Sequence, residues 1–312
     1  MKRESEKVEF ELWREYYEAF HSNTCNTRDE IREGCGPVRL EHAVGSRRAI
    51  ILIHGLSDSP WFLRGLAEFF HFRLGYDVYL PLLAGHGLKD PKKSMDTVSL
   101  EQWKENIEFA IDSVSRKHKG RQLSVGGLSM GGALSYYFGC THAAIDGELF
   151  LFSAAFGLKD GFLGVEGKVK ELLLRTPVTR LLKEKNNLIG KNPYRYEYVS
   201  INSVKELVRL MDEIRKLNRV FVGSRPFPGS VFSAFSEFDD VVSLRALRTL
   251  ISVVGGQHLT EFRIPAAEKV DHASLVLKDP ICGDNAEILE RENPLFEPMV
   301  ERIAAMSVYK MV

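Results

Sequence analysis

Ser124-Val-Gly-Gly-Leu-Ser-Met-Gly-Gly-Ala-Leu134 is the stretch on which the reading of this chain turns. Within it, Gly127-Leu-Ser129-Met-Gly131 sets one serine in a G-x-S-x-G frame. Residues 123–125 ahead of it read as a short strand, and residues 131–138 after it as a helix. A strand, turn and helix in that order hold a serine in a strained turn that only small neighbours tolerate, and present its hydroxyl above a sheet. A phosphate loop would need a Lys-Ser/Thr ending, which is absent here. Ser129 is therefore a candidate nucleophile rather than part of a bland glycine-rich turn.

Outward from this turn, short apolar runs alternate with longer amphipathic ones, which predicts an α/β fold with a mainly parallel sheet flanked by helices. Residues 49–54 (Ala-Ile-Ile-Leu-Ile-His) read as a buried strand, 61–74 as a helix, and 77–80 as a strand halted by Pro81. Ser99 and Gln102 form a capping box ahead of a stripe of Leu100, Trp103, Ile107, Ile111 and Val114 at helical spacing. Residues 148–153 give another strand. The alternation then stops at Gly157 and resumes at Gly229, so residues 157–228 are expected to form a helical cap inserted into a core made of 46–156 and 229–312. In that cap, a helical pattern over 165–182 is interrupted by Pro177. A second helix opens on a Ser203 and Glu206 capping box and carries Val204, Leu207, Val208, Met211, Ile214 and Leu217 on one stripe. Beyond the cap come a strand at 231–235, a helix at 244–254, a strand at 259–264, and a mostly helical 286–306. Residues 1–45 read as an N-terminal helical extension whose Phe10, Trp13, Tyr16, Tyr17 and Phe20 pack on the core.

The bulk properties suit a globular protein. The 312 residues are 44% hydrophobic, enough for a large core, and the 42 basic residues balance the 42 acidic ones. A net charge of zero leaves no field that would favour nucleic acid or an anionic membrane. No run approaches the roughly 18 consecutive apolar residues of a membrane span. The charged start of the chain lacks the apolar centre of a signal peptide, which makes a cytoplasmic location the expectation. The four cysteines, Cys25, Cys35, Cys140 and Cys282, form no metal or redox pair; Cys25 and Cys35 could bridge, but disulfides are rare in the cytosol.

A serine hydroxyl is a weak nucleophile and needs a base, oriented in turn by an acid. Downstream of Ser129 the choice of base is between His258 and His272. His272 follows the 259–264 strand and so falls at the sheet edge where the serine turn lies, whereas His258 precedes that strand. The acid should follow the 231–235 strand, where Ser236-Glu-Phe-Asp-Asp-Val-Val-Ser243 offers Glu237, Asp239 and Asp240. Asp239 is favoured, because the valines after Asp240 read as the start of the next packed segment. Two backbone amides are assigned to an oxyanion: that of Met130, directly after the serine, and that of Leu56, in the loop His54-Gly-Leu-Ser-Asp-Ser-Pro60. Gly55 lets this backbone approach closely. His54 precedes the serine in the chain and is read as a buttress of the loop.

On His54-Gly-Leu, Pro81-Leu-Leu-Ala-Gly-His-Gly87, Gly127-Leu-Ser-Met-Gly131, Asp239-Asp-Val-Val and Asp271-His272, the chain resembles the α/β-hydrolase superfamily. Within it, the resemblance is to the monoacylglycerol lipase, lysophospholipase and bacterial carboxylesterase group. It implies a Ser129–Asp239–His272 triad, hydrolysis of a small acyl ester or lipid-like substrate, no metal or organic cofactor, and a cap that shapes an acyl pocket. The apolar cap residues Phe162, Leu163, Leu172, Leu173, Leu174, Leu181 and Leu182 read equally as pocket lining and as packing. The same constellation would serve a thioesterase, an amidase or an acyltransferase, and a non-catalytic binding protein on this fold is a more distant alternative.

Overall fold

The computed structural model describes residues 8–21, 31–90, 94–117, 119–159, 191–220, 227–254 and 258–308. Its centre is an eight-stranded sheet ordered β1-β2-β4-β3-β5-β6-β7-β8. The strands are β1 (Glu11–Leu12), β2 (Val38–Leu40), β3 (Arg48–Ile53), β4 (Asp77–Leu80), β5 (Gln122–Leu128), β6 (Leu149–Phe152), β7 (Val231–Ser236) and β8 (Leu259–Ile264). From β4 through β8 every neighbouring pair is parallel, while β2 joins β4, and β1 joins β2, antiparallel. The chain is an α/β protein whose parallel strands all end on one edge.

Strand β3 shows why this sheet is buried on both faces. Its side chains alternate, so Ala49, Ile51 and Ile53 enter one apolar layer while Ile50 and Leu52 enter the other. The first layer is closed by helices α2 (Leu100–Lys117), α3 (Met130–Thr141) and α4 (Ile201–Val220), through Trp103, Ile107 and Ile111, Ala133 and Leu134, and Val204, Leu207 and Met211. The second is closed by the segment around Phe62, Leu66 and Phe70 and by a C-terminal helix, Phe296–Val308, through Met299, Val300 and Ile303. Each fully buried Ile or Leu of this kind contributes about 1.5–3 kcal/mol. The capping box at α2 forms as its sequence predicts: the Gln102 amide donates to Ser99 Oγ at 3.3 Å, and the Ser99 amide to Gln102 Oε1 at 3.0 Å.

Several elements depart from the sequence reading. The N-terminal region supplies a helix, α1 (Arg14–Phe20), but also β1 and β2, so it extends the sheet rather than only packing on it. Trp13 is nonetheless buried against Tyr79, and Tyr16 against Trp13, as the aromatic spacing suggests. The expected helix at 61–74 is three short helical pieces, Pro60–Leu63, Arg64–Glu68 and Phe69–Arg73. The capping box at Ser203 and Glu206 does not form. Helix α4 starts two residues earlier, the Ser203 hydroxyl donates to the Ser200 carbonyl, and Glu206 instead accepts from the Leu100 amide at 2.9 Å, at the start of α2.

Residues 286–306 are helical only from Phe296. Before that, β9 (Ile281–Cys282) pairs with β10 (Ile288–Glu290), and Asn293 caps the helix by accepting from the Leu295 amide at 2.9 Å. Pro294 fits the first turn of a helix but not its interior, which is why the helical register cannot run back through it. The expected helix at 165–182 and the apolar residues Phe162, Leu163, Leu172, Leu173, Leu174, Leu181 and Leu182 lie outside the described residues, as does Cys25; Cys35 is a free, buried thiol.

Candidate active site

Ser129 stands between β5 and α3 with φ 55° and ψ −116°, a conformation that costs a non-glycine residue on the order of 1–3 kcal/mol. The surroundings hold it there. Its amide donates to the Phe152 carbonyl at 2.9 Å, and its own carbonyl accepts from Ala133 and Ala155, both at 3.0 Å. The flanking glycines are required by crowding: a Cβ at Gly127 would come within 2.5 Å of the Ile53 carbonyl oxygen, and one at Gly131 would overlap that same oxygen. The two pairs of backbones therefore pack closer than any side chain permits, and the turn is as sharp as its sequence predicts.

His272 and Asp239 meet at the same edge of the sheet. Asp239 follows β7 and is fully buried, and its Oδ2 lies 2.6 Å from His272 Nδ1. Its Oδ1 accepts from the amides of Val241 at 2.8 Å and Val242 at 3.1 Å, while Lys159 Nζ donates to its main-chain carbonyl at 2.8 Å. Burial pushes the Asp239 carboxyl up, but the facing His272 and the Val241 and Val242 amides more than reverse it and hold it below the usual aspartate value. The rival acids lack this setting. Asp240 is exposed, and Glu237 forms ion pairs with Arg248 and Arg263 at 3.5 Å.

Burial pulls the His272 imidazole down, but the charge and hydrogen bond of Asp239, with Asp58 and Asp240 further off, raise its pKa above the ordinary 6.5. Its Nε2 is buried and has no partner among the described residues. His258, by contrast, is exposed at the start of β8.

Met130 is the first residue of α3, so its amide points out of a helix N-terminus, where the helix dipole favours negative charge. Leu56 lies in the loop after β3, beside Gly55, whose Cβ position would be 3.3 Å from Ser129 Cβ. His54 braces this loop. Its Nε2 accepts from the Leu83 amide at 3.1 Å, which leaves Nδ1 to donate to the Gly55 carbonyl at 2.9 Å. Burial and the neighbouring His86 push its pKa well down, so the ring stays neutral and keeps both bonds.

The sequence reading passed over three charged residues beside this site. Asp58, on the same loop, is buried, and burial raises its carboxyl to about 7 against the pull of Arg195 and His272. Arg195 pairs with Glu290 at 2.5 Å, and both side chains are almost fully buried. Arg32 Nη1 donates to the Arg195 carbonyl at 2.8 Å, and the Tyr196 amide donates to the Ser57 carbonyl at 2.9 Å, so residues 192–196 and the N-terminal segment both bear on the loop. An aspartate between two serines in the loop after β3 was the available signal. Its partners come from positions 137 and 232 residues further on, and no spacing rule joins them.

One group among the described residues, His42, His71 and Asp77, has the donor types of a metal site, with its nearest ligand atoms within 4.8 Å of one another. Asp77 opens β4, at the far edge of the sheet from Ser129. Its carboxylate already accepts from the amides of His42 at 2.8 Å and Ser46 at 3.0 Å and lies 3.0 Å from His42 Nδ1, and the two imidazoles pack face to face at a tilt of 31° with centroids 4.0 Å apart. The group acts as a clasp that fastens the turn at 42–46 to the sheet.

A mainly parallel sheet with a strained serine turn after its fifth strand, and a His–Asp pair after its last two, is the α/β-hydrolase architecture. Within that class, residues 45–265 match the family described as serine aminopeptidase, S33, and the chain belongs to that family. A thermostable monoacylglycerol lipase from Bacillus sp. (strain H-257) is 34% identical over 98 residues, a match covering 31% of this chain and 37% of that protein. Among solved structures, one from work on the metagenome-derived lipolytic enzymes LipS and LipT superposes with a TM-score of 0.65 at 20% identity, covering 89% of this chain and all of the other. A soluble variant of monoglyceride lipase from Saccharomyces cerevisiae gives 0.64 at 15% identity, covering 87% and 91%, and the Paleococcus ferrophilus monoacylglycerol lipase gives 0.60 at 16%, covering 88% and 98%. At these identities the structural likeness bears on the fold alone. No described helix is long and apolar enough to cross a membrane.

Proposed function

We propose that this protein is a serine hydrolase that cleaves carboxylic esters, with Ser129 as nucleophile, His272 as base, Asp239 as the orienting acid, and the amides of Leu56 and Met130 as oxyanion donors. The observation that carries the reading is the buried Asp239–His272 pair at 2.6 Å, on the same sheet edge as the strained Ser129 turn. With Asp239 on Nδ1, the imidazole presents Nε2 to the serine hydroxyl. His272 takes the proton as Ser129 attacks the ester carbonyl, and the two amides receive the negative charge that develops on its oxygen. The tetrahedral intermediate then collapses, His272 returns the proton to the departing alcohol, and water releases the acyl group by the same steps. The nucleophile, base, orienting acid and oxyanion donors in this sequence are all groups of the protein.

A lipid-like ester fits the named relatives, and the free thiols of Cys35, Cys140 and Cys282 fit a cytoplasmic enzyme. Because the family is described as aminopeptidases, amides are the second class to weigh. Initial rates on p-nitrophenyl esters from acetate to decanoate, beside an aminoacyl p-nitroanilide, separate the two. The ester reading expects turnover of the esters at least a hundredfold faster, and faster release of the anilide would replace it.

A further inference from the structure

The Leu56 amide ends a chain of hydrogen bonds that begins at a residue far along the sequence. The Tyr196 amide donates to the Ser57 carbonyl at 2.9 Å, and on the other side of that same peptide the Asp58 amide donates to the Gly55 carbonyl at 3.3 Å. The Gly55 carbonyl belongs to the peptide whose N–H is that of Leu56. Two peptide groups thus run in series from Tyr196 to the Leu56 N–H. His54 Nδ1 adds a second donor to the Gly55 carbonyl at 2.9 Å. Because the C=O and N–H of a trans peptide point opposite ways in one plane, bonds on the Gly55 oxygen fix the direction of the Leu56 N–H. They also polarise it, since each hydrogen bond in such a chain strengthens the next.

This turn is held against strain. Ser57 has a φ of +69°, in the left-handed region that a serine rarely enters, so the turn from Gly55 to Asp58 needs a restraint from outside. Tyr196 supplies one and is itself fixed. Its side chain is buried, and its hydroxyl donates to the Gly85 carbonyl at 2.7 Å and accepts from the Leu88 amide at 2.9 Å. Just before it, Arg195 is bonded to Glu290 at 2.5 Å, and the Arg195 carbonyl accepts from Arg32 Nη1 at 2.8 Å. From this series, and resting on the oxyanion assignment above, we propose that Tyr196 is a positioning residue for ester cleavage: its phenol fixes the amide that, through Ser57 and Gly55, aims and polarises the Leu56 N–H. The effect falls on the transition state. The ester oxygen carries a full negative charge only in the tetrahedral intermediate, so a loosened donor lowers kcat and leaves KM nearly unchanged.

Tyr196→Phe removes only the phenolic oxygen, and with it both anchoring bonds. Tyr76→Phe is the matched control, because its buried hydroxyl donates to Glu148 at 2.7 Å beside the start of β4, at the edge of the sheet far from Ser129. Both variants and the wild type are measured for kcat and KM on p-nitrophenyl butyrate, for inhibition by a butyl trifluoromethyl ketone, which forms a tetrahedral oxyanion on the serine, and for melting temperature. Loss of a whole oxyanion donor costs about 10²–10³ in rate, so a loosened one should lower kcat of Tyr196→Phe about ten- to thirtyfold, with KM within about twofold. The ketone should bind more weakly by a similar factor. Tyr76→Phe should lower the melting temperature and keep kcat within about twofold. If Tyr196→Phe does not fold, the same readings are taken with the α-hydroxy-acid analogue of tyrosine at position 196, which keeps the phenol and replaces the donating N–H by an ester oxygen. A kcat within about twofold of the wild type, a loss confined to KM, unchanged ketone affinity, or an equal fall of kcat in Tyr76→Phe would overturn the proposal. A wild type that neither hydrolyses the ester nor takes up a fluorophosphonate would instead remove the esterase reading beneath it.

Discussion

Asp239 Oδ2 and His272 Nδ1 are 2.6 Å apart, and the aspartate side chain has no exposed surface. In the proposed mechanism the carboxylate fixes the tautomer by accepting the Nδ1 proton, which leaves Nε2 as the atom that receives a proton from serine. Asp239→Asn keeps the volume but offers an amide that can stabilise the wrong tautomer. In steady-state assays on a p-nitrophenyl ester, kcat should fall about 10⁴-fold with little change in KM. A loss under tenfold would mean that Asp239 is not the orienting acid.

In the proposed mechanism the charges around His272 set the pH at which the base works. Burial lowers its pKa, but Asp239, Asp58 and Asp240 together bring it above 6.5. The base is active when unprotonated, so kcat/KM should climb with pH through a midpoint above 6.5 and flatten beyond it. Asp58→Asn removes one of the raising charges and should move that midpoint down. A profile from pH 5 to 9 measures both, and a midpoint at or below 6 in the wild type would contradict this electrostatic account.

Asp58 also ties stability to pH. Its folded pKa of about 7 lies above the usual 3.8, so between those values the unfolded chain gives up a proton that the folded one keeps. Stability therefore falls as pH rises through this window, and the cost is fully present only above 7. Asn carries no such cost. The variant should melt several degrees above the wild type at pH 8 and close to it at pH 4, by calorimetry at the two pH values.

At Gly131 the crowding is with main chain, which cannot swing aside. An added Cβ would overlap the Ile53 carbonyl oxygen and lie 2.6 Å from that of His54. Gly131→Ala should cost about 3 kcal/mol, the upper end for overpacking, and should abolish activity by opening the serine turn. Gly120→Ala is the contrast. Its φ of +75° strains any side chain, yet nothing stands within 4 Å of the added atom, so its loss should stay near 1 kcal/mol. Urea midpoints compare the two.

How far the sequence could be read follows from the range of each interaction. The strands β3, β5 and β7, the α2 capping box and the serine turn are set by residues within a few positions of one another, and their patterns are visible directly. The capping box at Ser203 and Glu206 has the same local form, yet Glu206 is drawn to the Leu100 amide, 106 residues away. Strand β2 carries only Val38-Arg-Leu40, too short to show a period, and becomes a strand because the edge of β4 is open to it. The helical reading from 286 overlooked Asn293-Pro294, which marks a helix start. Ser129 and His272 were legible through chain order and edge. Asp58 was not, because its meaning depends on burial and on Arg195 and Glu290.

The account rests on Ser129 as the nucleophile, and the direct measurement is Ser129→Ala under two readouts on the same preparation: p-nitrophenyl butyrate hydrolysis and labelling by a fluorophosphonate probe. The wild type should hydrolyse the ester and take up one probe per chain. In the alanine variant, with an unchanged circular dichroism spectrum, turnover should fall roughly 10⁵–10⁶-fold and labelling should vanish. A folded Ser129→Ala protein that still hydrolyses the ester at a rate near that of the wild type, or still takes up the probe, would contradict the account.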